Sequence, residues 1–439
     1  MRIVHTSDWH LGQTLHDLPR DEEHSAFLSW LLDLIVERDV DALVVTGDIF
    51  DSSNPSAQAQ RCWYRFLAEA GRRREGLQVV AVAGNHDSPS RLEAPRDVLA
   101  ALDVHVIGDL PRGEEGFDAD RLIVPLKDRK GAVKALVAAV PFLRTTDVQP
   151  VAGSDDLGGA NGEGGGCSSI GGIGGTVVVD PLIEGVRTIY SEAAAALRSR
   201  RVPGQAVILT GHLYASGTKL SDLSERKILG GNLHALPADI FAPDISYVAL
   251  GHLHFPQAVG GRRNVRYAGA PIPLSLGEAD YPHQVVLLEI EGDTATRIDP
   301  ILVPRLVDIL RIPEEGPGPK EVVLPLLEAL PDDPDPDRTG PDLRPFLEVR
   351  IDYGATDVTV KSEVETAVEG KNARLVKIQK PRAGDGDPAD GQALVQLSEV
   401  TPEEVFRMKH SRDVGGEPPA ELLAAFREVL AQAEEGRDA

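Results

Sequence analysis

Cysteine is nearly missing from this chain, with Cys62 and Cys167 the only two in 439 residues. Two thiols so far apart in sequence build no disulfide framework, and such usage suits a reducing cytoplasm. Positive charge is short as well: 45 Lys and Arg face 69 Asp and Glu, a formal net charge of −24. That balance keeps a protein soluble and argues against a surface that grips nucleic acid everywhere. It does not exclude nucleic-acid chemistry, because local basic patches or a partner can supply phosphate contacts. Apolar runs long enough to span a membrane are lacking too. The first polar cluster, at Asp8, requires a strand that starts almost at Met1, so no cleavable signal is expected. The length exceeds one ordinary core, and two domains plus a tail are expected.

What the chain does have is a series of short polar clusters: Asp8 and His10, Gly47 and Asp48, the GNHD run Gly84 to Asp87, His212, and the GHLH run Gly251 to His254. Apolar runs precede them: RIVHTS, ALVVT, LQVVAVA, AVILT and SYVAL. Runs of that length bounded by glycine or polar residues predict strands covered on both faces, and the amphipathic stretches between the first three predict crossover helices. In such an α/β arrangement the strands end at a common edge where loops carry ligands and catalysts. Residues distant in sequence therefore converge.

Helices are predicted at Glu22 to Arg38, Ala57 to Arg73, Arg91 to Leu102 and Leu182 to Arg198. The stretch 153–175 is glycine-rich, lacks basic and aromatic residues, and reads as a flexible surface loop. After Gly251 the runs RRNVRYAG, HQVVLLEI and ATRIDPILV predict a second antiparallel layer that closes the core near Val303. From Arg305 to Lys380 the alternation of LVDILRI, a helix at Lys320 to Leu330, FLEVRIDY, a helix near Val358 to Val368 and ARLVKIQK predicts a βαβαβ unit. The expected division is a large α/β domain at 1–303, a small α+β capping domain at 304–380, a linker at 381–400 and a helical tail at 401–439. In that tail Leu422, Leu423, Phe426, Val429 and Leu430 recur at helical spacing after Pro418, a stripe that requires a groove or the chain's own surface to cover it.

The clusters supply ligands for two metal ions. One ion is assigned to Asp8, His10, Asp48 and His254, and the other to Asp48, Asn85, His212 and His252, with Asp48 bridging. Mixed oxygen and imidazole donors suit manganese or iron and accept zinc, and Mn2+ is the expected metal. Two such ions roughly 3.5–4 Å apart activate a bridging water and clamp a phosphoryl oxygen, which is phosphoester hydrolysis. His86, beside Asn85, is the expected general acid. Asp87 is expected to orient His86 or stabilise its protonated form, and Asp51 to hold a water or orient a ligand.

Each of these features alone has a plainer explanation. A single strand histidine is more often structural, and an isolated Gly-Asp pair is more often a turn. Their joint occurrence in order at strand ends favours the metal site. His5, His16, His24, His105, His234, His283 and His410 lack that context and are expected to be structural or solvated. Arg72, Arg73 and Arg74 end a predicted helix whose dipole they complement. Arg262 and Arg263 lie close after the ligand loop, and both arginine groups leave DNA contact open.

The order DxH, GDxxD, GNHD, H, GHxH resembles the calcineurin-like metallophosphoesterase superfamily over roughly Met1 to Val303. That superfamily implies a sandwich of two β-sheets flanked by helices. HTSDWHLGQ, GDIFDSSNPS, GNHDS, VPF, GHLH with VRYAGAPIPLS, and LSEVTPEEVF in the tail are similar to the bacterial SbcD family of nuclease subunits. This resemblance implies a manganese-dependent double-strand 3′ to 5′ exonuclease and hairpin or single-strand endonuclease. It also implies a partner, an SbcC-type coiled-coil ATPase, in a homodimer within a heterotetramer that processes DNA ends and hairpins in repair and recombination. Archaeal and eukaryotic relatives often carry histidine where this chain has Asp51, whereas bacterial members carry aspartate, so the acid role rests on His86. The alternatives are a phosphatase or cyclic-nucleotide phosphodiesterase with the same centre, and a tethering subunit with a silent site. The segments after residue 303 weigh against the former, the intact ligand set against the latter.

Overall fold

The computed structural model describes residues 1–113, 116–144, 146–148, 181–215, 218, 236–353 and 359–379. The glycine-rich stretch 153–175, Cys167, the linker 381–400 and the tail 401–439 lie outside the described residues, as do His234 and His410.

The apolar runs at the start of the chain form β1 (Arg2–Thr6), β2 (Ala42–Thr46), β3 (Gln78–Val82) and β4 (Val104–Ile107), paired in parallel. Between them run α1 (Asp21–Glu37) and α2 (Ala57–Arg73). Asp21, Glu22 and Glu23 complement the dipole at the start of α1, and the Ser56 side chain caps α2 by accepting from the Ala59 amide at 3.1 Å. The helix predicted at Arg91 to Leu102 is instead two short helices, α3 (Pro89–Glu93) and α4 (Arg96–Ala100). Pro95 sits between them and has no N–H to continue the ladder.

A second sheet packs on the first. It contains β5 (Ile123–Lys127), β6 (Val133–Ala138), β7 (Ala206–His212), β8 (Tyr247–Gly251), β9 (Gln257–Val259) and β10 (Arg262–Tyr267), with α5 (Pro181–Arg200) between β6 and β7. Its order is β9-β10-β8-β7-β6-β5. The strands after Gly251 do not form one antiparallel layer as predicted. β10 pairs in parallel with β8, whereas β11 (Gln284–Glu291) and β12 (Thr294–Leu302) return to the first sheet, whose order is β12-β11-β1-β2-β3-β4. The side chains of β11 explain this, since Val286, Leu288 and Ile290 join the core between the sheets while Val285 and Leu287 join the helix layer. A strand buried on both faces belongs inside a sheet with cover on each side.

Three apolar layers result. Ile3, Val44, Val80 and Val82 meet Leu126, Val137, Ile208 and Tyr247 between the sheets. Val4, Leu43 and Val45 pack outward on Phe27, Leu31, Trp63 and Phe66 of α1 and α2. Val207, Leu209 and Val248 pack on Ile189, Tyr190 and Leu197 of α5. This is the sandwich of two β-sheets flanked by helices that the superfamily resemblance implies.

The chain then forms β13 (Ile309–Ile312), α6 (Lys320–Glu328), β14 (Phe346–Asp352), α7 (Val360–Val368) and β15 (Arg374–Gln379). β13 and β15 flank β14 in parallel, and the short strand Gly318–Pro319 pairs with its end. Val323, Leu327, Leu347, Val349, Ile351 and Val364 give the segment its own core. Leu15, Leu276, Val307 and Phe346 form a second cluster that joins it to the sandwich, and Met1–Gln379 is one compact unit. Among the described residues no helix is long and apolar enough to cross a membrane.

Candidate metal centre

The polar clusters meet at the seam between the two sheets, not at the rim of one. Asp8, Asp48 and Asn85 follow β1, β2 and β3, whereas His212 and Gly251 end β7 and β8. The loop after β1 is laid on the loop after β2 by main-chain bonds from Asp8 N to Gly47 O (3.0 Å), His10 N to Asp48 O (3.0 Å) and Leu11 N to Ile49 O (2.9 Å). Asp8, His10, Asp48 and His252 adopt positive φ values of 55°, 46°, 48° and 103°. Such conformations are unfavourable for residues with a Cβ and cluster where function over-determines the backbone.

Glycines permit the close approach. A Cβ on Gly84 would lie 2.1 Å from Asp48 Oδ1, and one on Gly251 would lie 1.8 Å from the Thr46 carbonyl oxygen. The motif glycines are therefore spatial requirements of the seam.

The side chains form overlapping groups. Asp8, His10 and His254 bring one ligand atom each within 4.8 Å of one another, and so do Asp8, Asp48 and His212, and His10, Asp48 and His86. Asn85 Oδ1 lies 3.0 Å from both His212 Nε2 and His252 Nδ1. Asp48 Oδ2 lies 3.3 Å from His212 Nε2 and 3.5 Å from His10 Nε2. Thus Asp48 stands between a group containing His10 and a group containing His212. Asp8 also accepts the His252 amide at 3.0 Å, which ties the end of β8 to the loop after β1.

The donor chemistry fits divalent cations. Among the described residues, buried His10 Nε2 has no hydrogen-bond partner. His212 Nδ1 faces the Thr46 carbonyl at 2.9 Å and must donate to it, so in the neutral ring Nε2 offers a lone pair toward two oxygens. Electron-rich atoms converging in a buried space require positive charge among them. Protonation answers the same demand: burial opposes charge on His212, but Asp48 outweighs it and raises the imidazole to about 9. Burial likewise opposes charge on Asp48, yet His212, His10 and His86 hold it well below the ordinary carboxylate range. His252 goes the other way, lowered to about 3 by burial and by His212. A cation would stand where those protons stand.

Three of the histidines have their second ring nitrogen fixed by a neighbour, as metal-binding imidazoles commonly do. Thr46 O holds His212, Asp51 Oδ1 lies 3.3 Å from His10 Nδ1, and Glu278 Oε1 lies 3.1 Å from His254 Nδ1. Glu278 belongs to none of the motifs read from the sequence. It is fully buried, and burial is overcome by His254 so that its carboxyl drops to about 2, while burial is overcome by Glu278 in raising His254 to about 9. The one signal in the sequence is an acid that closes the mostly apolar run PIPLSLGE.

Asp87 needs correction. Expected to serve His86, it instead accepts from the amides of Ile49 (3.1 Å), Phe50 (2.9 Å) and Gly84 (2.9 Å), fastening the loop after β2 to the loop after β3. Burial, then Asp48, pushes its carboxyl up to about 6. His86 is held at two points: its amide donates to the Asp48 carboxylate Oδ1 at 2.9 Å, and its ring Nδ1 lies 2.8 Å from the Asp51 carbonyl oxygen. Of the arginines for which the sequence leaves DNA contact open, Arg263 is exposed, and Arg73, Arg74 and Arg262 have partners within the chain. Arg73 pairs with Asp33 at 2.6 Å, Arg74 with Asp41 at 3.3 Å, and Arg262 donates to the Phe241 carbonyl at 2.8 Å.

Residues 1–256 match the family described as Calcineurin-like phosphoesterase, and residues 305–412 the Type 5 capsule protein repressor C-terminal domain. The SbcD subunit of the nuclease SbcCD from Rhodobacter capsulatus is 41% identical over 409 residues, 92% of this chain and 93% of that protein. The SbcD subunits from Escherichia coli K12 and Bacillus subtilis are 34% and 29% identical, covering 69% and 67% of this chain and 68% of each relative. Similarity that runs through both the sandwich and the appended segment, on a seam built from the shared phosphoesterase motifs, leaves one assignment: the chain belongs to the calcineurin-like phosphoesterase family and, within it, to the SbcD subunits of SbcCD nucleases.

Proposed function

We propose that this chain is the metal-dependent nuclease subunit of an SbcCD-type complex and hydrolyses DNA phosphodiesters with two divalent cations. The observation that carries the proposal is the position of Asp48 between the His10 group and the His212 group. Asp8, His10, Asp48 and His254 would hold one cation, and Asp48, Asn85, His212 and His252 the other. Divalent cations held there, with Mn2+ favoured by the mixed donors, would supply activation of a water and neutralisation of the phosphoryl oxygens. Asp51 and Glu278 keep the histidine rings aimed, and Asp87 keeps the two loops in register. His86 donates Nδ1–H to the Asp51 carbonyl, which fixes the ring and leaves Nε2 to carry the proton for the departing oxygen.

The motifs shared with SbcD nucleases support DNA ends and hairpins as substrates, cut by double-strand 3′ to 5′ exonuclease and hairpin endonuclease activity in repair and recombination. Residues 1–303 form the nuclease domain and 304–380 cap it, while the linker 381–400 and the tail 401–439 reach the SbcC-type ATPase. A homodimer of this chain within a heterotetramer, in the cytoplasm, completes the assignment. The partner also answers the charge of −24, since an ATPase that binds the duplex can deliver DNA to an acidic nuclease. The test is to incubate the purified chain, with and without the ATPase, with end-labelled hairpin DNA and with a phosphomonoester in Mn2+. DNA cleavage with slow monoester turnover is expected; the reverse would make the chain a phosphatase. Tight binding of duplex DNA by the chain alone at physiological salt would refute the delivery role of the partner.

A further inference from the structure

The turn that carries Glu278 is gripped from two sides. On its inner side Glu278 accepts from the Leu274 amide at 2.9 Å and the Ser275 hydroxyl at 3.0 Å, and holds His254 Nδ1 at 3.1 Å. On its outer side the grip comes from the appended segment. Arg311 of β13 donates to the Leu276 carbonyl and, at 2.6 Å, to Asp280, while Arg305 donates to the Ala279 carbonyl at 2.6 Å. The Leu276 side chain packs with Val307 and Phe346 of the same segment.

A second line of contact ends at the same place. The Leu274 carbonyl accepts from Gln13 Nε2 at 2.9 Å, and Gln13 Oε1 accepts from Arg20 at 3.3 Å. The buried Arg20 guanidinium lies 5.5 Å from the centre of the Phe346 ring, and Arg374 lies 4.1 Å from that ring. The turn of His254's partner is thus bounded by groups of 305–379 along two routes. Because Glu278 is fully buried and held by these three partners, displacement of the turn pulls on the imidazole.

We propose that Glu278 is a positioning residue for His254 and that Arg311 makes this positioning depend on the seating of the appended segment, so that the segment sets cation affinity at the Asp8, His10 and His254 group. The proposal rests on the assignment of His254 as a metal ligand. The segment then does more than cover the sandwich: a shift of β13 against the turn weakens one cation site and spares the other.

The test is titration of the full chain with Mn2+ alone, followed by calorimetry and by the electron paramagnetic resonance of free Mn2+, with the metal-free thermal midpoint recorded for each variant. Two bound ions are expected for the parent and one tight ion for His254→Ala. Glu278→Ala should weaken one site by about 10–100-fold, the range for partners of metal ligands, with Glu278→Gln recovering much of it. Arg311→Met should weaken the same site by about three- to tenfold, with Arg311→Lys intermediate. If Arg311→Met does not fold, Arg311→Lys decides. Parent-like affinities in the Arg311 variants, or equal weakening of both sites, would overturn the inference while leaving the metal centre standing. If the parent binds no Mn2+, or His254→Ala keeps both ions, the metal assignment itself fails and the inference falls with it.

Discussion

Asp48 and His212 face each other at 3.3 Å across the seam of the sandwich, one following β2 in the first sheet and the other ending β7 in the second. The site therefore exists only when the two sheets are packed in register. Gly47 and Gly251 allow this, because a Cβ on either would meet His212 Nδ1, at 2.1 Å and 3.0 Å.

Removing either partner should abolish hydrolysis. Asp48→Ala takes away the carboxylate shared by both groups, and His212→Ala empties one side of the second. Loss of several kcal/mol of transition-state stabilisation corresponds to a fall in kcat on the order of 10³-fold or more. Manganese-dependent cleavage of labelled hairpin DNA, measured with the circular dichroism spectrum as a folding control, checks this. Full activity in Asp48→Ala would refute the centre.

His86 should behave differently from the ligands. It lies in reach of His10 and Asp48, yet its Nδ1 is committed to the Asp51 carbonyl. As the proton carrier it contributes about 10²–10⁴-fold to the rate. His86→Gln should therefore lose that factor in kcat while binding two Mn2+ ions. Loss of an ion would instead make His86 a ligand.

Much of this centre is legible in the sequence because the ligand clusters follow short apolar runs closely, and an apolar strand fixes where its last residue emerges. The sheet to which each run belongs is not legible. ALVVT and AVILT look alike, yet the first pairs beside β1 and the second beside β8. That choice depends on which faces remain to be covered once α5 and β11 are placed, a property of the whole packing. The split at Pro95 is legible in principle from proline's missing N–H. Glu278 and the true partners of Asp87 are not, because each acts on groups brought near only by tertiary structure: a histidine 24 residues earlier and amides 37 and 38 residues earlier.

The seam should reject even one methyl group. An added Cβ at Gly84 would stand 2.1 Å from Asp48 Oδ1 and 2.3 Å from the Asp48 amide nitrogen, so main chain must move. Overpacking of this kind costs roughly 1–3 kcal/mol. Gly84→Ala should lower the urea midpoint accordingly and eliminate Mn2+ binding at the site that includes Asn85. A variant with parent-like stability and metal binding would show that the two loops can part enough to admit a methyl group.

Acid should destabilise the chain through His5, which lies in the core between the sheets within 3.0 Å of the Tyr247 hydroxyl and 3.0 Å of Thr46 Oγ1. Burial, then the charge of Arg266, lowers its pKa from 6.5 to about 3. Between those values the unfolded chain binds a proton that the folded chain refuses, so stability rises with pH across that window and is lost as pH falls below 6.5. The slope for one such group is about 1.4 kcal/mol per pH unit. His5→Gln can keep hydrogen bonds but cannot titrate. Urea unfolding at about pH 7, 6 and 5 should show a shallower loss in that variant than in the parent, and equal slopes would assign the acid sensitivity elsewhere.

The tail should be separable from the chemistry. Leu422, Leu423, Phe426, Val429 and Leu430 recur at the spacing of one helical face, following the linker 381–400, whose first half is polar. A face of that size is stable only when covered, and a tether of some twenty residues lets it reach a groove on another chain. Deleting 401–439 should leave two Mn2+ ions bound and the sandwich folded while the SbcC-type ATPase no longer co-purifies. Replacing Leu423 and Phe426 by Asp should reproduce the loss, because a charge on the buried face of a docked helix must be desolvated. Unchanged co-purification of the ATPase with both variants would move the partner surface to another part of the chain, and a large fall in thermal midpoint would mean that the stripe packs on the chain's own surface.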